Sequence, residues 1–463
     1  MTPPRALFLD AWTIDQATGQ VNKQIIGHPY HPDPAGLARF QADALGRTLA
    51  WAKARSRFYS HGLSGIDPRE IRTRSDLSAL PFTRPADLGA GGPRFACLSQ
   101  GEADRIFTLE TSGTTARPKR LFFTRAELME TRDFFRAILA TLMAPGHTGL
   151  IFVPGATPLS AGDLIRDAME NAGARPLVHG PVIAVPPAMD AILDYRPSLV
   201  IGMPVQILAL GEALADSGRD VPGIPFIILT ADYVSPALAR RVEQLFRCRV
   251  LSHYGLTETG FGGAIQCPCQ EGLHIRHPHL LVEIVDPETG TALPPGHWGE
   301  IVLTTLDRQA MPLIRYRTGD MSRLLDRPCA CGSPFARLDR VKNRQAQTIR
   351  PDQQAPLAMA DLDDVLFAIP GVVDFTAAIS AGSTVPRLDI TLETKETAAA
   401  GQAVAALENA PALRKALDTG GLDLGRIRTR AFTLKNTYLG KRLIRDNRIP
   451  QPPARKEGPH EVL

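Results

Sequence analysis

No stretch of this chain reaches the ~18 successive apolar residues that a bilayer-crossing helix needs, so no membrane partner is expected. The opening residues, Met1 to Leu7, hold no long apolar segment and no evident cleavage site, and two C-x-C pairs read as metal binding in a reducing cytoplasm, so a cytoplasmic protein is expected. A basic stripe with interleaved aromatics is also missing. The net charge is only +4 over 463 residues, so nucleic acid is not an expected partner. Cysteine is sparse: six residues in a chain this long do not make a disulfide scaffold. Internal repeats are absent. What is present is an ordinary globular balance, with 44% apolar and 22% charged residues. That composition can bury a core of usual size, and the length suggests roughly two to four domains.

The pattern changes along the chain. Up to about residue 105 it is helical and turn-rich: Leu37 to Arg57 has helical apolar spacing, and Pro81, Pro85 and Gly91-Gly92-Pro93 break the later part. From Ile106 onward, apolar runs such as Leu150 to Val153, Leu199 to Ile201, Phe226 to Leu229 and Arg249 to Leu251 alternate with helical segments such as Ala188 to Leu193 and Pro236 to Phe246. That alternation predicts an α/β domain with a largely parallel sheet. Leu280 to Leu306 reads as an antiparallel β unit. Gln345 to Pro356 is polar and holds two prolines, as a linker does. Beyond it, Leu362 to Ile369, Leu388 to Leu392 and Gly401 to Leu417 suggest a small α+β domain. The expected domains are a large α/β body over 1–340, a small mobile α+β domain over 341–448, and a flexible tail over 449–463.

Several short segments carry chemistry. Thr111-Ser112-Gly113-Thr114-Thr115-Ala116-Arg117-Pro118-Lys119 comes after the strand-like run Ile106 to Leu109. Glycine permits a sharp turn, successive N–H groups can face an anion, and hydroxyls and Lys119 add donors. The spacing is not that of a Walker A loop, and a plain surface turn has similar composition. His253-Tyr254-Gly255-Leu256-Thr257-Glu258-Thr259-Gly260 comes after Val250-Leu251, where ligands of α/β sheets gather. An aromatic ring there can cover a purine, and a carboxylate beside phosphates can hold Mg2+. In Tyr316-Arg317-Thr318-Gly319-Asp320 an aspartate after a glycine turn can accept ribose hydroxyls. Asp339-Arg340-Val341-Lys342 lies at the suspected boundary, where a hinge would be. Leu439-Gly440-Lys441 puts a lysine after glycine near the C-terminus. Cys267-Pro268-Cys269 and Cys329-Ala330-Cys331 are closely spaced pairs of the kind that bind tetrahedral zinc, with His274 nearby.

In this order and at these separations, the segments resemble the acyl-adenylate-forming superfamily of acyl-CoA synthetases, adenylation domains and luciferases. The phenylacetate–CoA ligases are the most similar branch. Leu80-Pro81-Phe82-Thr83, Gly272-Leu273-His274-Ile275, Val285 to Gly290 and Gly299 to Leu306 running into Met311 to Asp320 carry that likeness. The resemblance implies a large adenylate-forming domain with a small mobile C-terminal domain, and an ATP-dependent, AMP-forming carboxylate–CoA ligase for an aromatic acid. Thr111, Ser112, Gly113, Thr114, Thr115 and Lys119 would cradle the β- and γ-phosphates. Ala231 and Asp232 would lie in the adenine segment, with Asp232 where a glutamate is common. Tyr254 would stack on adenine beside Gly255. Thr257 and Glu258 would form the catalytic turn, with Glu258 on Mg2+. Asp320 would hold the ribose with help from Arg340, Lys342 would be the hinge, and Lys441 would orient the carboxylate at the α-phosphate. Phe135 and His253 would line the acid pocket. Related ligases point to Cys267, His274, Cys329 and Cys331 as a structural zinc set, with Cys269 competing for one place.

Two features depart from the family pattern: Ala116 stands where glycine is usual, and the glycine-rich continuation of the hinge is missing. The expected partners are the acid, ATP and CoA, with a homodimer left open. Two other readings remain at this point. One is an adenylating enzyme that hands the acyl group to a carrier thiol or an amine; the other is a nucleotide-binding protein without catalysis.

Overall fold

A computed structural model describes residues 13–14, 21–22, 34–109, 118–333, 335–344, 349, 357–382, 384–396, 398–432 and 442–448. The expected phosphate-loop residues Thr111, Ser112, Gly113, Thr114 and Thr115, and the expected catalytic Lys441, lie outside the described residues. The chain forms two units. One comprises residues 1–146, 157–175 and 253–341; the other comprises 147–156, 176–252 and 342–463.

In the first unit, helices Pro34–Arg55, Arg57–Gly62 and Pro85–Phe95 precede a two-stranded hairpin. The hairpin corrects one expectation. The run at Ile106 does not enter a parallel sheet: Arg105–Leu109 pairs antiparallel with Lys119–Phe123, so residues 110–118 join two strands of one ribbon. An apolar run announces a strand but not its partner. Helix Arg125–Leu142 starts on a capping box, with Glu127 N–H on the Thr124 hydroxyl and Thr124 N–H on the Glu127 carboxylate. The same carboxylate accepts the N–H groups of Gln309 and Ala310, which fixes the helix start against a distant loop.

The expected antiparallel β unit is formed by Leu280–Val285, Gly299–Thr305 and Tyr316–Ser322. A buried ion pair anchors it. The Arg315 guanidinium grips Glu283 through two bonds of 3.1 and 2.9 Å, donates to Leu80 O and lies 4.1 Å over the Phe82 ring. Thr83 N–H then donates to Arg315 O, and Arg317 N–H to Thr83 O. Leu80 to Thr83 and Arg315 to Arg317, far apart in sequence, are therefore one packed structure.

The second unit contains the parallel sheet. Thr148–Ile151, Leu199–Gly202, Phe226–Leu229 and Arg249–Tyr254 pair in that order, all parallel, with Arg175–Val178 at the edge. Leu199–Gly202 is buried along its whole length, as a strand covered on both faces must be. Helices Val185–Tyr195, Pro204–Asp216 and Pro236–Phe246 alternate with the strands. Beyond Lys342 lie a sheet of Asp423–Ala431, Arg387–Thr394, Val372–Ser380 and Ile444–Asp446 and the helices Met359–Leu366, Ala399–Glu408 and Pro411–Asp418. Arg387–Thr394 alternates strictly between buried and half-buried residues, so one face packs inward. Among the described residues, no helix is long and apolar enough to cross a membrane.

Candidate functional site

The first unit gathers several of the singled-out residues. Strand Arg249–Tyr254 ends in Tyr254 and is followed by a short turn, Thr257–Thr259. Gly255 between them has a steric reason to be glycine. A Cβ there would lie 1.9 Å from Phe261 O and 2.7 Å from the His253 ring. The turn closes through Gly260, whose φ is +68° and whose N–H donates to Thr257 O. Thr257 and Glu258 are both buried on this turn.

Glu258 sits in a small charge cluster. Lys119, the first residue after the hairpin loop, donates to Glu258 Oε1 at 3.2 Å and to the Tyr316 hydroxyl at 3.2 Å. Tyr316 donates its own proton to the same Oε1 at 2.8 Å. Arg308, lying 4.7 Å over the Phe123 ring, donates to the main-chain carbonyl of Glu258 at 2.5 Å. Burial holds the Arg308 guanidinium below its usual pKa. The carboxylate is thus fixed from both ends, its oxygen by Lys119 and Tyr316 and its backbone by Arg308. One carboxylate fits a cation such as Mg2+, which takes one or two protein carboxylates and fills its shell with phosphate oxygens and water.

Beside this cluster the Tyr254 hydroxyl donates to Asp320 Oδ2 at 2.7 Å. Asp320 is buried on strand Tyr316–Ser322, just after Gly319, whose φ is +76°. The Gly319 N–H donates to Glu300 Oε1, and Asp320 N–H to the Thr318 hydroxyl. The bend coincides with a register shift against Gly299–Thr305. An aromatic residue and a carboxylate that can accept hydroxyls are therefore hydrogen-bonded to each other.

His253 packs its ring 5.1 Å from the Phe135 ring, with Phe134 next to Phe135. Burial lowers the His253 pKa to about 4, so the imidazole is neutral near pH 7. Arg340 is exposed and its N–H bonds to Asp339 Oδ1.

In the second unit, Ala231 comes after strand Phe226–Leu229 with a φ of +74°. A non-glycine residue there is strained, and such strain gathers at binding sites. Asp232 accepts the Tyr233 N–H at 2.8 Å. Lys342 donates to Asp364 at 3.3 Å.

A separate cluster in the first unit brings Cys267, His274, Cys329 and Cys331 together. Their ligand atoms all lie within 4.8 Å of one another. His274 comes from strand Leu273–Ile275, Cys267 from just beyond Ala264–Gln266, and the two later cysteines from a turn closed by Gly332 at φ +81°. Cys267 Sγ is 3.6 Å from Cys329 Sγ, and Cys331 Sγ is 3.4 Å from His274 Nε2. Two sulfurs held ~2.3 Å from one tetrahedral zinc would be ~3.8 Å apart, so this donor set fits the ion. The Cys331 thiol is held well below its usual pKa by hydrogen bonding with Cys267 and then His274, while Cys267 is pushed up by the same pairing and by burial. Cys269 is not one of the four.

Tyr316 and Arg308 were not singled out by the sequence. Tyr316 opens a recognised motif but gains its role only by meeting Glu258; Arg308 belongs to no motif at all.

Residues 80–306 match the family described as AMP-binding enzyme. Over 388 residues the chain is 28% identical to the phenylacetate-coenzyme A ligase of Thermus thermophilus, covering 79% of this chain and 84% of that one. Over 291 residues it is 30% identical to the phenylacetate-coenzyme A ligase of Pseudomonas putida, covering 60% of this chain and 64% of the relative's length, somewhat under two thirds. In fold it is similar to 2-hydroxyisobutyryl-CoA ligase solved with 2-HIB-AMP, with a TM-score of 0.78, 16% identity and coverage of 93% and 95%. The motif order, the α/β architecture and these likenesses agree: the chain is similar to AMP-binding enzymes over residues 80–306 and resembles the phenylacetate-coenzyme A ligases.

Proposed function

We propose that this AMP-forming acid–CoA ligase acts on an aromatic, phenylacetate-like acid, first making an acyl-adenylate from ATP and then a thioester with CoA. The observation that carries the reading is the meeting of three separate motifs at one carboxylate, with Lys119, Glu258 and Tyr316 in mutual hydrogen bonds and Tyr254 on Asp320 beside them. The activity for which the relatives are named supports the acid class, and Phe134, Phe135 and the neutral His253 supply an apolar wall suited to an aryl group.

In the first step a carboxylate oxygen attacks the α-phosphorus of ATP and pyrophosphate leaves. In the second the CoA thiolate attacks the acyl carbon and AMP leaves. Neither step needs a protein nucleophile, so the protein contributes positioning and charge. Lys119, with Thr111, Ser112, Gly113, Thr114 and Thr115, holds the β- and γ-phosphates. Glu258 holds Mg2+, which neutralises phosphate charge, and Thr257 completes the turn. The Lys119–Glu258 pair suits this role because each partner can exchange the other for a ligand of the same sign. Tyr254, Gly255, Ala231 and Asp232 receive adenine. Asp320, with Arg340, receives the ribose in place of the Tyr254 hydroxyl. Lys441 stabilises the α-phosphate, and Lys342 is the pivot over which residues 341–448 move between the two steps. Cys267, His274, Cys329 and Cys331 hold a structural zinc.

The test is ATP–pyrophosphate exchange over a panel of aryl and short aliphatic acids. Exchange greatest with arylacetic or benzoic acids supports the acid class. Exchange confined to aliphatic acids refutes it.

A further inference from the structure

A second set of contacts, wholly within the unit of 147–156, 176–252 and 342–463, plays no part in the chemistry above. Helix Met359–Leu366 carries two adjacent acids, Asp363 and Asp364, whose side chains diverge by about 100° around its axis. Asp363 is buried and pairs with the Arg442 guanidinium. Arg442 also takes Asp374 at 3.1 Å and lies over the rings of Phe367 and Phe375 at 5.0 and 4.3 Å. Asp364 faces elsewhere. Its Oδ1 accepts the Tyr233 hydroxyl at 2.9 Å and its Oδ2 accepts Lys342 Nζ at 3.3 Å.

These contacts join three places that the chemistry must coordinate. Tyr233 adjoins Asp232 in the expected adenine segment, Lys342 is the expected pivot, and Arg442 is next to the expected catalytic Lys441 in the chain. A carboxylate with a separate donor on each oxygen is fixed in direction as well as place. The Asp364 and Lys342 side chains are each 30% exposed, so water can replace either partner and the tie can open. Arg442, enclosed by two acids and two rings, has no such freedom. One short helix therefore bears a fixed anchor on one side and a releasable tie on the other.

We propose that Asp364 is a positioning residue for the adenylation half-reaction. It ties Lys342 to Tyr233 and so holds its helix, and through that helix Arg442, in the place the first step requires. The proposal rests on the function proposed above.

Tyr233→Phe and Asp364→Asn in the full chain test it. Each variant is assayed for ATP–pyrophosphate exchange and, separately, for thioester formation from synthetic acyl-adenylate and CoA. The expected result is a loss in exchange of about tenfold for Asp364→Asn and about threefold for Tyr233→Phe, with thioester formation within about twofold of the parent. Lys342 labelling by an amine-acylating reagent, read by mass spectrometry without substrates, should rise about threefold in Tyr233→Phe, which leaves both Lys342 and Asp364 in place. Unchanged labelling, unchanged exchange, or an equal loss in both half-reactions overturns the proposal. A parent protein inactive with every acid counts against the function and leaves the labelling result to decide the tie.

Discussion

Two buried polar clusters in the same unit solve opposite problems. Around Glu258, unlike groups meet: a carboxylate, an ammonium and a phenol satisfy one another at 2.8 to 3.2 Å. Around His274, similar groups meet, and three thiols and an imidazole crowd within 4.8 Å. The first cluster is balanced as it stands, and each of its members can be traded for a ligand of matching charge. Gathering the second as thiolates concentrates negative charge that a bound cation would compensate. A balanced cluster suits turnover; a crowded one suits a permanent ion.

The sharpest way to break this contrast is to remove the charges expected to act on phosphate. Lys441→Ala and Glu258→Gln should each lower adenylate formation by roughly a hundredfold or more, measured as pyrophosphate release. Lys441→Ala should leave thioester formation from ready-made adenylate near the parent rate; equal loss of both steps would remove its assigned role. The cysteine–histidine cluster should respond differently. Protein purified without a histidine tag should carry about one zinc per chain, and Cys329→Ser should lose it, with a melting midpoint lower by about 5 °C or more and nucleotide affinity little changed. A metal-free parent of undiminished stability would contradict the zinc assignment.

Smaller effects sharpen the picture. Tyr316→Phe removes the hydroxyl that Glu258 and Lys119 share, and kcat/KM for adenylation should fall roughly tenfold with the fold intact. No change would mean that Lys119 alone positions the carboxylate. His253 gives the gentlest test. Its folded pKa, about 4, lies below the ordinary imidazole value of 6.5, so the folded state binds fewer protons between those values. Its contribution therefore weakens stability as pH falls from 6.5 towards 4 and is constant above that window. An imidazole NMR titration should place its midpoint near 4; a midpoint near 6.5 would show that the ring is solvated.

Much of the fold was legible because its signals are local. Pro236–Phe246 has the expected bounds, since Ser235 caps it and Pro236 opens it. The strands Leu199–Gly202 and Phe226–Leu229 announce themselves as apolar runs. Pairing is not local, which is why Arg105–Leu109 is half of a hairpin rather than a strand of the parallel sheet. The site divides in the same way. Glu258 and Asp320 stand in recognisable segments, but Tyr316 meets Glu258 across 58 positions, and no periodicity records that. Arg308 acts through a bond to a main-chain carbonyl, which leaves no trace in residue type at the other end.

The most direct test of the ligase reaction is product stoichiometry with an aryl acid, ATP, Mg2+ and CoA. The expected result is AMP, pyrophosphate and acyl-CoA in equal amounts. ADP and phosphate as products, or AMP formed with no CoA consumed, would contradict it.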